Sequence, residues 1–375
     1  MNGDGAVSVV LAGGGTAGHT SPLIATAHEI GRLAPGARIT AVGTARGLET
    51  TVVPAAGLAL ELIPPVPMPR RPGRDLLLVP SRLGHAVAEA GRLLDRVRAD
   101  AVLGFGGYVS TPVYLAARRR RVPIVIHEQN ALPGLANRLA ARFTQHVFTS
   151  FPDTPLPHAT CIGLPLRPGI TGLDRAAERA AARSAYGLPA DGQVLLVSGG
   201  SQGAASLNRA VSGARDALLA AGVSVLHAVG PKNLTEEVLP VTDAVTGAAY
   251  RPLAFIEAMD VAYAAADLML GRCGASTVLE TAVVGLPAVF VPYPHGNGEQ
   301  GRNAASVVSS GGGVLLADAD CTPEWVAREV PSLIRGDVLA GMAKALAGVG
   351  QRDAAATLAG HTLRVAGWTG GEGTS

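Results

Sequence analysis

Short apolar runs alternate with amphipathic stretches along the whole chain. The first half reads VSVVLA, RITAVGT, LALELI, AVLGFG, PIVIHE and HVFTS, each followed by a helical pattern. Continuous Val/Ile/Leu runs separated by helices predict parallel strands buried on both faces. A Pro/Gly-rich stretch, FPDTPLPHATCIGLPLRPGITG from Phe151 to Gly172, interrupts the rhythm. The grammar then restarts with QVLLVSGG, VSVLHAVG, LMLGRCG, PAVFVPYP and GGVLLA. The pattern predicts an α/β chain of two Rossmann-like, doubly wound parallel-sheet domains, with a junction near Leu164 to Gly169. The expected bounds are 1–166 and 167–351, with a last helix near 352–368 packing back on the first domain. Ligands of such sheets bind at the carboxyl ends of the strands, so function is expected in a cleft between the two domains.

Composition narrows the picture. The 375 residues are 48% hydrophobic and 16% charged, which describes a globular chain with ample apolar surface to bury. A net charge of +2 is too small for a nucleic-acid partner. Cys161, Cys273 and Cys321 are far apart and form no C-x-x-C, so neither a disulfide framework nor a zinc site is expected. The start has no basic n-region, and no segment has the roughly 18 apolar residues of a membrane helix, so a soluble or surface-attached protein is expected.

Four glycine-rich turns carry the candidate chemistry. VVLAGGGTAGHTSP (Val9 to Pro22) is a strand, a glycine loop and a helix start, with Ser21 as expected N-cap and Pro22 as the first helical residue. Such a loop exposes N–H groups to an anion. A dinucleotide site would require an acid at the end of the second strand, and AVGTARG has none before Glu49, which speaks against NAD. His19, where loop meets helix, can take a proton from a hydroxyl or simply pack there. GFGGYVSTP (Gly104 to Pro112) repeats the turn, and IHEQNALPG places Glu128, Gln129 and Asn130 at a strand end. VSGGSQGAASLN puts Ser201 and Gln202 in position for a diphosphate. GRCGASTVLETAVVGLP sets Glu280 about one helical turn past Ser276, within reach of ribose hydroxyls while Ala275 and Ser276 meet phosphate.

Taken together and in order, GGGTAGH, GFGGYVS, HEQN, GGSQGA, GAST…E and PHGNGEQGRNA resemble the MurG family of UDP-N-acetylglucosamine transferases, which convert lipid I to lipid II in peptidoglycan synthesis. The resemblance spans nearly the whole chain. It implies the GT-B fold and an inverting, metal-independent transfer needing no cofactor. It places Thr16, Ala17, Gly18, Tyr108, Asn130, Arg167, Ser201, Gln202, Ile256, Ala275, Ser276, Thr277, Val278, Leu279, Glu280 and Gln300 about the substrates, and His19 and Glu128 by the acceptor hydroxyl. The chain departs from the family at Ala17 (usually Gly), Leu164 (usually Asn) and Glu299 (usually Gln).

A polyprenyl-diphosphate acceptor requires contact with a bilayer. MPRRPGRDLLLVPSRLGHAV offers Arg70, Arg71, Arg74 and Arg82 around Leu76, Leu77, Leu78, Val79 and Leu83, a basic-rimmed apolar segment suited to anionic lipid, with Arg118 to Arg121 as a further contribution. The expected place is the cytoplasmic face of the cell membrane, as a peripheral protein, with other cell-wall synthesis proteins as possible partners. The alternatives are a related transferase acting on another lipid or natural product, a UDP-sugar 2-epimerase, and a nucleotide-sugar-binding module without turnover.

Overall fold

The computed structural model describes residues 6–66, 78–200, 203–236, 238–295 and 297–370. The chain divides into two compact units, Met1–Arg167 with Arg352–Ser375, and Pro168–Gln351. Among the described residues each unit builds one seven-stranded sheet.

In the first unit, β1 (Ser8–Ala12), β2 (Arg38–Gly43), β3 (Ala59–Leu62), β4 (Ala101–Gly104), β5 (Ile124–Glu128), β6 (His146–Thr149) and β7 (Ala159–Cys161) lie in the order 3-2-1-4-5-6-7. All pairs are parallel, with Ala12 between Val42 and Gly104. The order reverses between β1 and β4, so the carboxyl ends of these two strands open side by side, where such sheets bind ligands. Alternation splits β1 between two cores. Val9 and Leu11 pack with Leu23, Ile30 and the C-terminal helix residues Leu358, Ala359 and Leu363. Val10 and Ala12 pack with Val113, Ile124 and Ile126. Helix Ala354–Val365 thus lies against helix Ala17–Leu33 in the first unit.

The second unit holds β8 (Gln193–Ser198), β9 (Val223–Ala228), β10 (Val241–Thr242), β11 (Ala249–Leu253), β12 (Leu268–Gly271), β13 (Ala288–Phe290) and β14 (Gly313–Leu315), in the order 10-11-9-8-12-13-14. Only β10 is antiparallel to its neighbour. Here the order reverses between β8 and β12. Helices Ala205–Ala220 and Pro323–Leu333 cover one face of the sheet through Leu207, Val211, Val326 and Val330, all fully buried. Each such side chain contributes about 1.5–3 kcal/mol by leaving water.

The first helix begins earlier than Ser21 and Pro22 predict. It spans Ala17–Leu33, with Thr16 as N-cap and Pro22 inside it. Thr16 instead supplies the capping carbonyl, which accepts from the N–H groups of His19 and Thr20 at 3.1 and 3.2 Å and from the Thr20 hydroxyl at 3.0 Å. His19 is therefore held in a rigid first turn. Among the described residues no helix is long and apolar enough to cross a membrane.

Candidate functional site

At the carboxyl edge of the first sheet, the loops after β1, β4 and β5 converge on His19 and Glu128. His19 Nδ1 lies 2.8 Å from the Phe105 carbonyl and 2.9 Å from Gln129 Oε1. The loop from β4 can pass this close because Gly106 and Gly107 have φ of 81° and 82°, and a Cβ on Gly107 would meet the Gly14 carbonyl at 2.8 Å. Gln129 is as buried as Glu128, each 2% exposed, so the HEQN segment is no solvated loop.

Glu128 carries a dense set of donors. Its Oε1 accepts from the Asn130 N–H at 3.0 Å, and its Oε2 from the Gly134 N–H at 3.0 Å and Asn137 Nδ2 at 2.9 Å. Asn137 is oriented by the Tyr114 hydroxyl, which donates to Asn137 Oδ1 at 2.7 Å. Tyr114 in turn fits only because Gly104 has no side chain, since a Cβ there would strike the phenol ring. Burial pushes the Glu128 carboxyl above its usual range, while these donors and the nearby His19 charge oppose the shift.

The first glycine loop holds an acid after all. Glu49, 1% exposed, accepts from the Gly15 N–H at 2.8 Å and the Thr44 N–H at 2.9 Å. Burial opposes its ionisation, yet these N–H donors outweigh it and hold the carboxyl below its usual range. The residue that a nucleotide site would aim at a ribose is turned inward onto the loop. Thr16 remains exposed at the loop's end, Gly18 is half-buried behind it, and Tyr108 is 68% exposed. Asn130 is half-buried beside Glu128, and Arg167 lies exposed at the last residue of the unit's first segment. Leu164 is buried, so the departure from Asn is absorbed by packing.

Six donor candidates of the second unit, Ala275 to Glu280, lie on the helix that follows β12. Helix Ala275–Val284 starts with Gly274 as N-cap, so the first turn carries Ala275, Ser276 and Thr277 with N–H groups directed at the loop. Glu280 follows on the same helix, its Oε2 accepting the Tyr263 hydroxyl at 2.8 Å. Val278 and Leu279 are buried, and the Val278 N–H already bonds the Gly274 carbonyl, so these two serve the helix's packing. Ile256 is buried after β11, and Gln300 Oε1 accepts from the Tyr293 N–H at 2.9 Å. Ser201 and Gln202 lie outside the described residues.

Arg272, which motif reading passes over, ties these loops together. Its guanidinium donates to Asp318 Oδ1 at 2.6 Å, Ser206 Oγ at 2.8 Å and the carbonyls of Val291 and Pro292 at 3.2 and 3.0 Å. Ser206 Oγ donates to the same Asp318 oxygen at 2.7 Å. One side chain thereby fixes the ends of β12 and β13, the start of the Ala205–Ala220 helix and the turn after β14. Among the described residues, no group of three His, Cys, Asp or Glu side chains is placed to hold a metal ion.

Of the basic-rimmed segment, Arg70, Arg71, Arg74, Leu76 and Leu77 lie outside the described residues. Leu78 is exposed, Val79 and Arg82 are half-exposed, and Leu83 packs against the core. Arg120 pairs with Asp95 near the far end of helix Val79–Val97, about 20 Å along the axis from Arg82 at 1.5 Å per residue. It therefore does not share one patch with Arg82.

Comparison with known proteins matches residues 9–149 to the glycosyltransferase family 28 N-terminal domain and residues 194–358 to the glycosyltransferase family 28 C-terminal domain. The chain is 58% identical over 364 residues to the UDP-N-acetylglucosamine–N-acetylmuramyl-(pentapeptide) pyrophosphoryl-undecaprenol N-acetylglucosamine transferase of Nocardioides sp., covering 95% of this chain and 98% of that one. It is 54% identical over 366 residues to the protein of the same name from Cutibacterium acnes, covering 96% and 98%. Among solved structures it resembles Acinetobacter baumannii MurG, with TM-score 0.74 and 28% identity over 96% of this chain and 99% of that one. It shares its fold with the calicheamicin glycosyltransferase CalG4, with TM-score 0.64, 19% identity and coverage of 96% and 98%.

Proposed function

The chain belongs to glycosyltransferase family 28, with the two-domain GT-B architecture, and from that premise we propose that it transfers N-acetylglucosamine from UDP-N-acetylglucosamine to the muramyl sugar of the undecaprenyl-diphosphate-linked pentapeptide acceptor. The observation that carries this reading is the 58% identity over nearly the full length of a transferase of that name. The product is lipid II of peptidoglycan synthesis. The units divide the labour, with the acceptor on the first and the donor on the second.

In this reading His19 Nε2 takes the proton of the acceptor's C4 hydroxyl as its oxygen bonds the anomeric carbon. The bond from that carbon to the diphosphate breaks with its electron pair, UDP leaves, and the new β-1,4 link has inverted configuration. Glu128, close enough for its charge to interact with His19, stabilises the imidazolium that forms. N–H groups of the first turn of Ala275–Val284 meet the leaving diphosphate, with Ser276 and Thr277 hydroxyls beside them and Arg167 as a further cation. Glu280 takes the ribose hydroxyls, Ile256 and Gln300 flank the donor, and Ser201 and Gln202 join them on sequence grounds. Thr16 and Asn130 reach the donor from the first unit's loops, while Ala17, Gly18 and Tyr108 line the acceptor side.

The acceptor's lipid tail calls for peripheral attachment at the cytoplasmic face of the membrane, where Leu78 and Arg82 with the sequence-assigned Arg70, Arg71 and Arg74 meet anionic lipid. The test is incubation with radiolabelled UDP-N-acetylglucosamine and a lipid I analogue. Label in the lipid product is expected. Epimerised donor without transfer, or donor binding without turnover on any lipid acceptor, overturns the reading.

A further inference from the structure

Three backbone carbonyls determine every proton position around His19. The Phe105 carbonyl, which can only accept, lies 2.8 Å from His19 Nδ1, so that nitrogen carries hydrogen. The Gly163 carbonyl lies 2.9 Å from His127 Nε2, so His127 carries its hydrogen there and presents a bare Nδ1. The His127 carbonyl accepts at 2.9 Å from the side-chain nitrogen of Gln129, which fixes which end of that amide is nitrogen. The same Gln129 nitrogen lies 3.2 Å from the bare His127 Nδ1, and the oxygen at its other end lies 2.9 Å from His19 Nδ1. All the roles agree, and the chain runs from Gly163 through His127 and Gln129 to His19. Burial of His127 keeps it neutral, its pKa lowered to about 4, so Nδ1 stays an acceptor across the working range.

We propose that His127 and Gln129 are positioning residues that hold His19 as the Nδ1–H tautomer, leaving Nε2 bare to receive the hydroxyl proton. The proposal rests on the reading of His19 as the base. Imidazole has two neutral forms, and only the one with an unprotonated nitrogen toward substrate accepts a proton. A His19 with hydrogen on Nε2 would present a donor to the hydroxyl and be inert as a base. The other titratable groups about the ring are Glu128, which senses its charge, and Glu49, bound to Gly15 in the loop that leads to it.

The tautomer is read without substrate, by long-range proton–nitrogen correlation on full-length protein with labelled histidine at pH 8, with His19→Gln and His127→Asn assigning the signals. Nδ1–H on His19 and Nε2–H on His127 are expected; Nε2–H on His19 overturns the proposal whether or not transferase activity is found. Gln129→Met removes one acceptor and the link to His127 at nearly constant volume. In this variant the Phe105 carbonyl remains as the one acceptor of Nδ1–H, so the Nε2–H form of His19 gains population beside the Nδ1–H form and kcat falls about threefold, while KM for UDP-N-acetylglucosamine stays within about twofold. The acid limb of the kcat–pH profile moves to lower pH, because the imidazolium loses an acceptor. A fall in kcat with tautomer and acid limb both unchanged assigns Gln129 a merely structural role and overturns the proposal, as does unchanged kcat.

Discussion

The Glu49 carboxylate accepts the N–H of Gly15 at 2.8 Å, so the first glycine loop already holds an anion of its own. A Cβ on Gly14 would stand 2.6 Å from that carboxyl, which is why the run needs glycine at this place. Glu49→Ala leaves the Gly15 and Thr44 N–H groups without their acceptor, at about 1–3 kcal/mol each. The urea midpoint should drop accordingly. Because the loop leads into Thr16 and His19, KM for the acceptor should rise more than KM for the donor. Equal stability and unchanged acceptor KM would show that the loop holds its shape without Glu49.

Glu280 and Tyr263 form the corresponding pair in the second unit, at 2.8 Å. Glu280→Ala should weaken UDP-N-acetylglucosamine by about 1.5–3 kcal/mol, the worth of hydrogen bonds to a charged group, which is roughly 10- to 150-fold. Tyr263→Phe keeps the carboxylate and removes one of its fixings, so a loss of about 1 kcal/mol, roughly fivefold, is expected. Titration calorimetry measures both. Donor affinity unchanged in Glu280→Ala would remove Glu280 from the site.

The buried parallel strands and the glycine turns were legible because such strands are written as unbroken apolar runs and tight-turn geometry is written in glycine. β7, the two-residue β10 and β11 were not. β7 is three half-exposed or exposed residues inside a Pro-rich stretch, with no apolar run to mark it. β11 reads AYRPL, and Pro252 masks it, although it lies beyond the two residues paired with β10, where a missing N–H is tolerated. The roles of Glu49, Asn137 and Arg272 were hidden for another reason. Each acts on residues distant in sequence, Arg272 on Asp318 and Asn137 on Tyr114, and pairing across such separations leaves no local pattern.

Arg272 makes its bonds as a fork, with both terminal nitrogens engaged on different loops. Lysine offers one point charge on a flexible stem and cannot reproduce that geometry. Arg272→Lys should therefore behave nearly as badly as Arg272→Ala, with donor affinity and thermal stability both reduced by about 1.5–3 kcal/mol, since the half-buried Asp318 and Ser206 lose charge-assisted hydrogen bonds. Calorimetry with UDP and thermal melts provide the check. Full rescue by lysine would mean that charge alone, and not the tying of four loops, is what the site uses.

Acid should destabilise the protein through two buried histidines, one in each unit. His127 and His227 are fully buried, and burial lowers both to about 4 from an ordinary 6.5. His227 is held between the Tyr250 hydroxyl at 3.0 Å and Asn208 Oδ1 at 3.1 Å, so it is satisfied as the neutral form. Above pH 6.5 the folded and unfolded chains bind the same protons at these positions, and the stability is fully present. Between 6.5 and about 4 the unfolded chain takes up a proton at each that the folded chain refuses, so stability falls as pH falls, by up to about 1.4 kcal/mol per pH unit for each histidine. Glu128, raised by burial, works in the opposite sense below its own folded value and returns part of the loss. From pH 7 to pH 5 each histidine should account for about 2 kcal/mol of lost stability. Urea unfolding at the two pH values measures it, and His227→Gln, whatever it costs at pH 7, should shrink the difference by about that amount. A difference as large as in the parent chain would mean that the His227 imidazole is free to take its proton inside the fold.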